Sequence, residues 1–142
     1  MTEKNDTSRL TEKYIFRNIR QEEITQTAEI EKIAGFLNGL ATDREHLTDD
    51  FFTDAEMHDP KGKNIMLLGL DVLPEYQHQG LARELVRCYK EREKANGREK
   101  LILTCLPDKV EMYQKFGFKD HGIGGSVWGG EAWHEMSVEL RG

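Results

Sequence analysis

Apolar positions follow the most regular pattern in the second half of the chain. Residues 65–72 are nearly all apolar, which is typical of a buried strand. Residues 82–94 change to a helical pattern that ends before Asn96-Gly97, a usual C-terminal stop. The apolar residues of this helix recur at helical spacing: Leu81, Leu85, Val86 and Tyr89. The pattern therefore predicts a strand, a short loop and an amphipathic helix.

The rest of this half continues the alternation. Residues 101–106 predict a strand, and residues 109–116 predict a helix that ends at Gly117. Asp108 is the expected N-cap of that helix, since Glu111 follows it at the spacing of a capping box. A short strand from Phe118, a glycine-rich stretch and a strand over residues 132–140 complete the chain. The order strand, helix, strand, helix, strand, strand predicts an α/β domain.

The first half is less regular. Residues 1–13 are polar and expected to be frayed, residues 14–20 favour a strand, and residues 21–34 favour a helix. Residues 34–41 predict another strand, and residues 42–64, which we call the acidic segment, predict an excursion from the sheet. Without a repeat or a linker-like break, the 142 residues are expected to form a single domain.

Composition narrows the classes of partner. The net charge of −6 argues against nucleic acid held through phosphates and slightly favours a cationic small molecule. No apolar run is long enough to span a membrane, and the N-terminus lacks the apolar core of a signal peptide, so we expect a cytoplasmic protein. Cys88 and Cys105 are expected to be structural thiols, and no metal site is predicted from the spacing of cysteines and histidines.

The loop between the strand over residues 65–72 and the following helix carries the first candidate chemistry. Gly80 allows a ligand to approach the backbone closely, and the first turn of a helix presents unpaired N–H groups with a partial positive charge. Such a junction binds a pyrophosphate without many basic side chains. A lone glycine at this position, however, is more often part of an ordinary strand-to-helix turn.

Three motifs in the same order resemble those of the GNAT superfamily of acyl-coenzyme A-dependent N-acetyltransferases. The six residues from Gln77 to Ala82, Gln-His-Gln-Gly-Leu-Ala, match the signature Gln/Arg-x-x-Gly-x-Gly/Ala. The preceding Val72-Leu73-Pro74-Glu75-Tyr76 resembles the Val-x-Pro-Glu-Tyr lead-in, and Tyr113 to Phe118 resembles the Tyr-x-x-x-Gly-Phe element. The resemblance covers residues 65–140 well and residues 14–34 loosely. The C-terminal part looks most similar to arylalkylamine N-acetyltransferases.

The resemblance implies a mixed, largely antiparallel sheet that is splayed at the acetyl-CoA site. It implies direct attack of a primary amine on the thioester while both substrates are bound, with a backbone N–H of the splayed strand stabilising the oxyanion. Tyr113 would protonate the departing thiolate, although packing of its ring in the core is the simpler role. The residues implied in binding acetyl-CoA are Leu70, Val72, Gln77, His78, Gln79, Gly80, Leu81 and Ala82.

This chain differs from the arylalkylamine enzymes at the positions of their general base. Those enzymes carry two histidines on the strand before the loop, where this chain has Met66 and Leu68. Neither side chain accepts a proton, but a water relayed to Asp71, His134 or Glu135 could suffice, and the sequence leaves the choice open. The missing histidines also leave open a non-catalytic acyl-CoA-binding or regulatory module.

Aromatic and acidic residues near the C-terminus indicate the acceptor. Trp128, Trp133 and Glu131 could wall a pocket for an apolar or cationic amine, although core packing explains one of the tryptophans equally well. Together with the acidic residues 49–59, they favour a small cationic amine as acceptor. A protein lysine or N-terminus is the alternative acceptor, and a homodimer stays open.

The N-terminal half is abbreviated relative to the superfamily. A second helix and two further strands usually stand between the first helix and the strand before the loop. In this chain the helix pattern of residues 21–34 runs almost directly into Gly35. Either part of the substrate-side structure is dispensed with, or the sequence joins segments across residues that are absent from it.

Overall fold

A computed structural model describes residues 33–141. The frayed residues 1–13, the strand predicted over residues 14–20 and residues 21–32 of the predicted helix lie outside the described residues. Ile33 and Ala34 were expected to end that helix, but they are not helical. The carbonyl of Ala34 accepts a hydrogen bond from the N–H of Leu73 at 2.8 Å, so the chain already runs beside the sheet at this point.

Five strands and two α-helices follow one another in the described part of the chain. They are β1 (Gly35–Thr42), β2 (Asn64–Val72), α1 (Leu81–Ala95), β3 (Lys100–Cys105), α2 (Val110–Lys115), β4 (Lys119–Ile123) and β5 (His134–Glu139). The strand predicted over residues 34–41 and the order predicted from residue 65 onward are confirmed. Among the described residues, no helix is long and apolar enough to cross a membrane.

The strands form one sheet in the order β1-β2-β3-β5-β4. The pair β2 and β3 is parallel and is connected through α1, whereas β1 with β2, β3 with β5 and β4 with β5 are antiparallel. The predicted mixed, largely antiparallel sheet with flanking helices is therefore confirmed.

The two faces of the sheet carry different layers, as residues of β3 show. Leu101 and Leu103 pack in a core cluster with Val86 and Tyr89 of α1, so this is the helix face. Ile102, which lies between them, packs with Leu47 and Phe51 of the acidic segment. Alternate residues of a strand point to opposite faces, and the acidic segment therefore covers the face opposite the helices. We call this second face the segment face.

The acidic segment contains two short 3₁₀ helices, Asp49–Phe52 and Ala55–Met57. Leu47 and Phe51 are almost fully buried, at 0% and 2% exposure. A segment that looked like a polar excursion in sequence thus contributes a second small core, because Leu47 and Phe51 are buried against the sheet.

The predicted N-cap of the helix over residues 109–116 is wrong. Pro107–Lys109 forms a 3₁₀ turn, and α2 begins only at Val110, with Lys109 as its N-cap and no capping bond from a side chain. Proline fixes a backbone angle that suits the first position of a helical turn, so the turn begins one residue before Asp108. Gly117, with φ of +100°, follows the helix as predicted.

Candidate functional site

The central strands β2 and β3 separate soon after they pair. Parallel pairing joins only their first residues, from Asn64 with Lys100 to Met66 with Ile102. Beyond that point β2 continues to Val72 beside β1, and β3 continues to Cys105 beside β5. The two strands therefore enclose an open wedge in the middle of the sheet, which we call the splay.

A β-bulge at Leu68 accompanies this separation. Asn38 of β1 pairs with Gly69, whereas the next residue, Gly39, pairs with Leu67, so Leu68 is the extra residue of β2. A bulge bends the strand that carries it and increases the local twist. Apart from Leu68, residues 67–72 pair with β1, and no strand among the described residues pairs with them on the other side. Their backbone groups on that side are therefore directed into the splay. Leu70 and Val72, both expected to contact acetyl-CoA, lie in this part of β2.

The loop between β2 and α1 is held to the end of the strand. Pro74–Tyr76 forms a 3₁₀ turn, and the side-chain Nε2 of Gln77 donates to the carbonyl of Val72 at 2.9 Å. His78 and Gly80 have positive φ angles of 65° and 87°. The first residue of the motif therefore fixes the loop through its side chain, while the left-handed residues turn the backbone into the helix.

The N-terminus of α1 suits an anionic group. Gly80 is the N-cap and provides no side-chain cap, and the helix has 15 residues. The N–H groups of the first turn, from Leu81 onward, have no cap among the described residues and can bind an external acceptor, and the helix dipole favours negative charge there. These residues fit a pyrophosphate such as that of acetyl-CoA.

Tyr113 lies on α2 beside two aromatic rings. Its ring meets those of Phe116 and Phe118 edge to face, at centroid distances of 5.9 and 5.8 Å. Burial raises the pKa of Tyr113 to about 12, with a smaller contribution from nearby Cys105. The phenol therefore keeps its proton well above neutral pH, as a proton donor requires.

Cys105 is a buried thiol at the end of β3. Burial raises its pKa to about 11, and the charges of Asp120 and Asp108 add to this effect. Its Sγ atom lies 3.6 Å from the Sδ atom of Met136. A protonated thiol in contact with a thioether behaves as a small apolar group and not as a nucleophile.

A cavity of about 400 Å³ lies beside the splay. Leu67 and Leu68 line it from β2, and Thr104 lines it from β3, so it borders the place where the strands have separated. Asp49, Phe52 and Thr53 of the acidic segment form another wall. Since Leu68 packs in the same cluster as Phe51, the cavity opens on the segment face. Its volume is within the range of small-molecule sites.

A further wall comes from the stretch before β5. Trp128 and Trp133 both line the cavity, and the indole N–H of Trp133 donates to the carbonyl of Trp128 at 2.8 Å. Trp128 is 62% exposed and therefore belongs to the rim. Glu131, also expected at the acceptor, is exposed and does not line the cavity.

Two polar groups of the cavity were not singled out from the sequence. Ser126 is 2% exposed, and its hydroxyl has no hydrogen-bond partner among the described residues. The Oδ1 atom of Asp49 is likewise buried without a partner, whereas Oδ2 accepts from the N–H of Val127 at 3.0 Å. The acidic composition of residues 49–59 indicated Asp49 only as one carboxylate among several, and no pattern indicated Ser126.

The three base candidates lie in different places. Glu135 is opposite Thr104 on the segment face, where its two carboxylate oxygens bond to the Leu47 N–H and the His46 ring. His134 points to the helix face, and its Nδ1 atom lies 3.0 Å from Oδ1 of Asp120. Asp71 is exposed near the end of β2. None of the three lines the cavity.

The contact with His134 affects the pKa of the Asp120 carboxyl. A backbone hydrogen bond from Gly122, together with the bond from His134, lowers the pKa of Asp120.

The described residues contain no group of three or more histidine, cysteine or acidic side chains placed to hold a metal ion.

Comparison with known proteins identifies a family. The sequence model of the Acetyltransferase (GNAT) family matches residues 2–118. The resemblance inferred from the three motifs is thereby confirmed at the level of the superfamily. The closer similarity to arylalkylamine N-acetyltransferases stays a prediction.

Solved structures share the fold at low sequence identity. The loading GNATL domain of CurA from Lyngbya majuscula has a TM-score of 0.61 and 17% identity, over 87% of this chain and 85% of that domain. A Bacillus subtilis acetyltransferase in complex with CoA has a TM-score of 0.56 and 14% identity, over 84% and 83%. The ribosomal-protein-S18-alanine N-acetyltransferase of Escherichia coli has a TM-score of 0.55 and 19% identity. The match covers 78% of this chain but 63% of that enzyme.

Proposed function

The chain belongs to the GNAT family of acetyltransferases, which use acetyl-CoA, and on that premise we propose that it acetylates a small cationic amine. The observation that carries this proposal is the position of the cavity. It opens at the splay on the segment face, whereas α1, whose N-terminus ends the cofactor loop, packs on the helix face. Donor and acceptor can therefore meet at the splay from opposite faces of the sheet, as direct transfer requires.

Acetyl-CoA supplies an acetyl group activated as a thioester, and the chain supplies binding and polarity. The N–H groups of the loop and of the first turn of α1 hold the pyrophosphate. Backbone N–H groups of β2 between Leu70 and Val72, on the side that faces the splay, donate to the developing oxyanion. Tyr113, which keeps its proton, donates it to the thiolate that departs.

The cavity walls support an amine with an apolar body. Phe52 and the two tryptophans present aromatic rings, and the leucines of β2 add aliphatic surface. Among the described residues, Asp49 provides the single carboxylate of this lining. Aromatic faces attract organic cations, and a carboxylate favours the protonated amine during binding. The amine must then lose its proton before it attacks.

An acceptor screen tests the proposal. Release of CoA thiol from acetyl-CoA is measured with aralkylamines, polyamines, aminoglycosides, amino acids and peptides that contain lysine or a free N-terminus. We expect the highest kcat/KM for aralkylamines or polyamines, with a KM that rises with salt as the carboxylate is screened. A clear preference for the peptides over every free amine would contradict a small amine as the acceptor. It would favour a lysine or N-terminus of a protein as the acceptor instead.

A further inference from the structure

We infer that Asp49 and Ser126 form a binding site for a primary alkylammonium group, and that this pair selects the acceptor by its N–H count as well as its charge. The inference rests on the proposed function, since it names the groups of the cavity that would recognise the amine. Its physical content, an ammonium site in this cavity, can nevertheless be measured without acetyl transfer.

The first observation is the state of Ser126. Its side chain is almost completely buried, it lines the cavity, and its hydroxyl has no partner among the described residues. Buried hydroxyls are nearly always hydrogen-bonded, because a buried hydroxyl without a partner has lost its hydrogen bonds to water and gained none in exchange. A hydroxyl left in this state on a cavity wall is therefore available to a ligand.

The second observation is the orientation of Asp49. Its Oδ2 atom is fixed by the N–H of Val127, the residue that follows Ser126. This bond brings the carboxylate to the chain segment that carries the hydroxyl, and Oδ1 stays buried with no hydrogen-bond partner within residues 33–141. The two unpaired groups thus belong to neighbouring parts of one cavity wall, and the carboxylate is held in place before any ligand binds.

The adjacent carboxylate, Asp50, provides a contrast. Its side chain is bonded by the hydroxyl of Thr48 and lies 4.0 Å from the guanidinium of Arg44. Both partners come from the acidic segment itself. Asp50 therefore has an internal role in that segment, and Asp49 is the carboxylate that is directed to the cavity.

A primary ammonium group matches this pair better than the other common cations do. It has three N–H donors, one for the carboxylate Oδ1 and one for a lone pair of the serine hydroxyl. Methylation of the nitrogen replaces these donors with methyl groups, and a quaternary ammonium has none. The aromatic rim, by contrast, attracts a quaternary ammonium as well. Tighter binding of a primary than of a quaternary amine would therefore show that Asp49 and Ser126, and not the aromatic rings alone, bind the ammonium group.

Intrinsic fluorescence offers a direct readout. Trp128 and Trp133 are the only tryptophans of the 142 residues, and both line the cavity. Titration of the full chain with 2-phenylethylamine should change this fluorescence. We expect the amine to bind at least tenfold more tightly than 2-phenylethanol, and at least tenfold more tightly than trimethyl-(2-phenylethyl)ammonium. A wild-type protein that binds the three compounds equally, or that shows no response to the amine, would overturn the inference.

Variants then assign the preference to residues. Asp49→Asn keeps an oxygen for the N–H of Val127 and removes the charge, so it should remove most of the advantage of the amine over the alcohol and leave only the part that the aromatic rings supply. Ser126→Ala should weaken amine binding several-fold, and the matched control Asp50→Asn should leave it within twofold. An unchanged ratio of amine to alcohol in Asp49→Asn would refute the role of Asp49. Calorimetric titration with acetyl-CoA shows whether each variant is folded.

The outcome is separable from that of the proposed function. If the amine binds as expected but no free amine is acetylated, the ammonium site stands and the proposed function does not. If free amines are acetylated but Asp49→Asn keeps the wild-type KM, the proposed function stands and the ammonium site does not. Since the wild-type comparison of three ligands needs no substitution, a failure of the variants to fold does not prevent the test.

Discussion

Glu135 on β5 accepts a hydrogen bond from the backbone N–H of Leu47 at 2.9 Å, although 88 residues separate the two. Leu47 is fully buried, and Glu135 is 7% exposed. The bond fixes the start of the acidic segment to the segment face just before Asp49. The shape of the cavity therefore depends on a contact between two parts of the chain that are far apart in sequence.

Loss of this contact should affect the acceptor side before the cofactor side. Glu135→Ala leaves the buried N–H of Leu47 unpaired, and we expect it to lower the free energy of unfolding by about 1–3 kcal/mol. The KM for the amine should rise, while the affinity for acetyl-CoA stays within twofold, since the loop before α1 is on the other face. Urea unfolding and calorimetry provide the two measurements.

His46→Ala is the matched control, because His46 bonds to the second oxygen of the same carboxylate but is 80% exposed in its side chain. A pair whose histidine is this exposed to water contributes at most about 1 kcal/mol. If His46→Ala destabilises the protein as much as Glu135→Ala, the backbone bond is not what holds the segment.

Sequence was sufficient where the information is local. The four-residue spacing of Leu81, Leu85 and Tyr89 predicted α1, and the motif around Gly80 predicted the turn before it. Both features depend on residues that are close together in sequence, so they can be recognised from the sequence pattern. The capping role expected of Asp108 was wrong because Pro107 begins a separate turn.

Features that depend on distant partners could not be predicted in this way. The bulge at Leu68 exists only relative to the register of β1, and the pairing of β2 with β3 ends at Met66 for reasons outside either strand's own pattern. The bond that orients Asp49 comes from Val127, 78 residues away. The two tryptophans were recognisable by type, whereas the unpaired hydroxyl of Ser126 is defined by its surroundings.

Gly80 and Gly97 allow a paired test of the cofactor loop, because they flank opposite ends of α1 with similar φ angles of 87° and 84°. Substitution by glutamate should strain both positions alike, by about 1–2 kcal/mol. At Gly80 the new carboxylate also meets the N-terminus of α1, where it competes with a pyrophosphate. We expect Gly80→Glu to abolish binding of acetyl-CoA in calorimetry and Gly97→Glu to retain it. Wild-type affinity in a folded Gly80→Glu protein would remove the loop from the cofactor site.

Glu45 should make the stability depend on pH in a narrow acidic window. Its carboxylate lies 2.7 Å from the Nζ atoms of both Lys63 and Lys100, at the beginnings of β2 and β3. Hydrogen bonds from Lys100 and then from Lys63 lower the pKa of Glu45 from 4.5 to about 2. Because the folded pKa is depressed, the stabilisation is present above pH 4.5 and is lost as the pH falls towards 2.

Glu45→Gln should therefore flatten the dependence of urea unfolding on pH within that window. The effect should shrink at high salt, since all three side chains are partly exposed. Glu56→Gln is the control, because Glu56 is exposed and has no ion pair among residues 33–141. An equal pH dependence of the wild type and Glu45→Gln would show that the two lysines do not hold the carboxylate in its charged form.

Tyr113 offers the sharpest test of the chemistry, since Tyr113→Phe keeps the ring and removes only the hydroxyl. If the hydroxyl protonates the thiolate, kcat should fall by about 10²–10⁴ with little change in the affinity for acetyl-CoA. Tyr89→Phe is the matched control. Burial also raises the pKa of Tyr89 to about 12, but its ring packs in the core from the middle of α1.

The two variants are compared in single-turnover experiments, in which acetyl transfer and not product release sets the rate. The structure leads us to expect a slow Tyr113→Phe enzyme and a Tyr89→Phe enzyme that is close to wild type. Because both lose one hydroxyl from a ring that packs against the same core cluster, a general effect of destabilisation would slow both variants. Equal single-turnover rates in Tyr113→Phe and the wild type would leave Tyr113 with a packing role against Phe116 and Phe118.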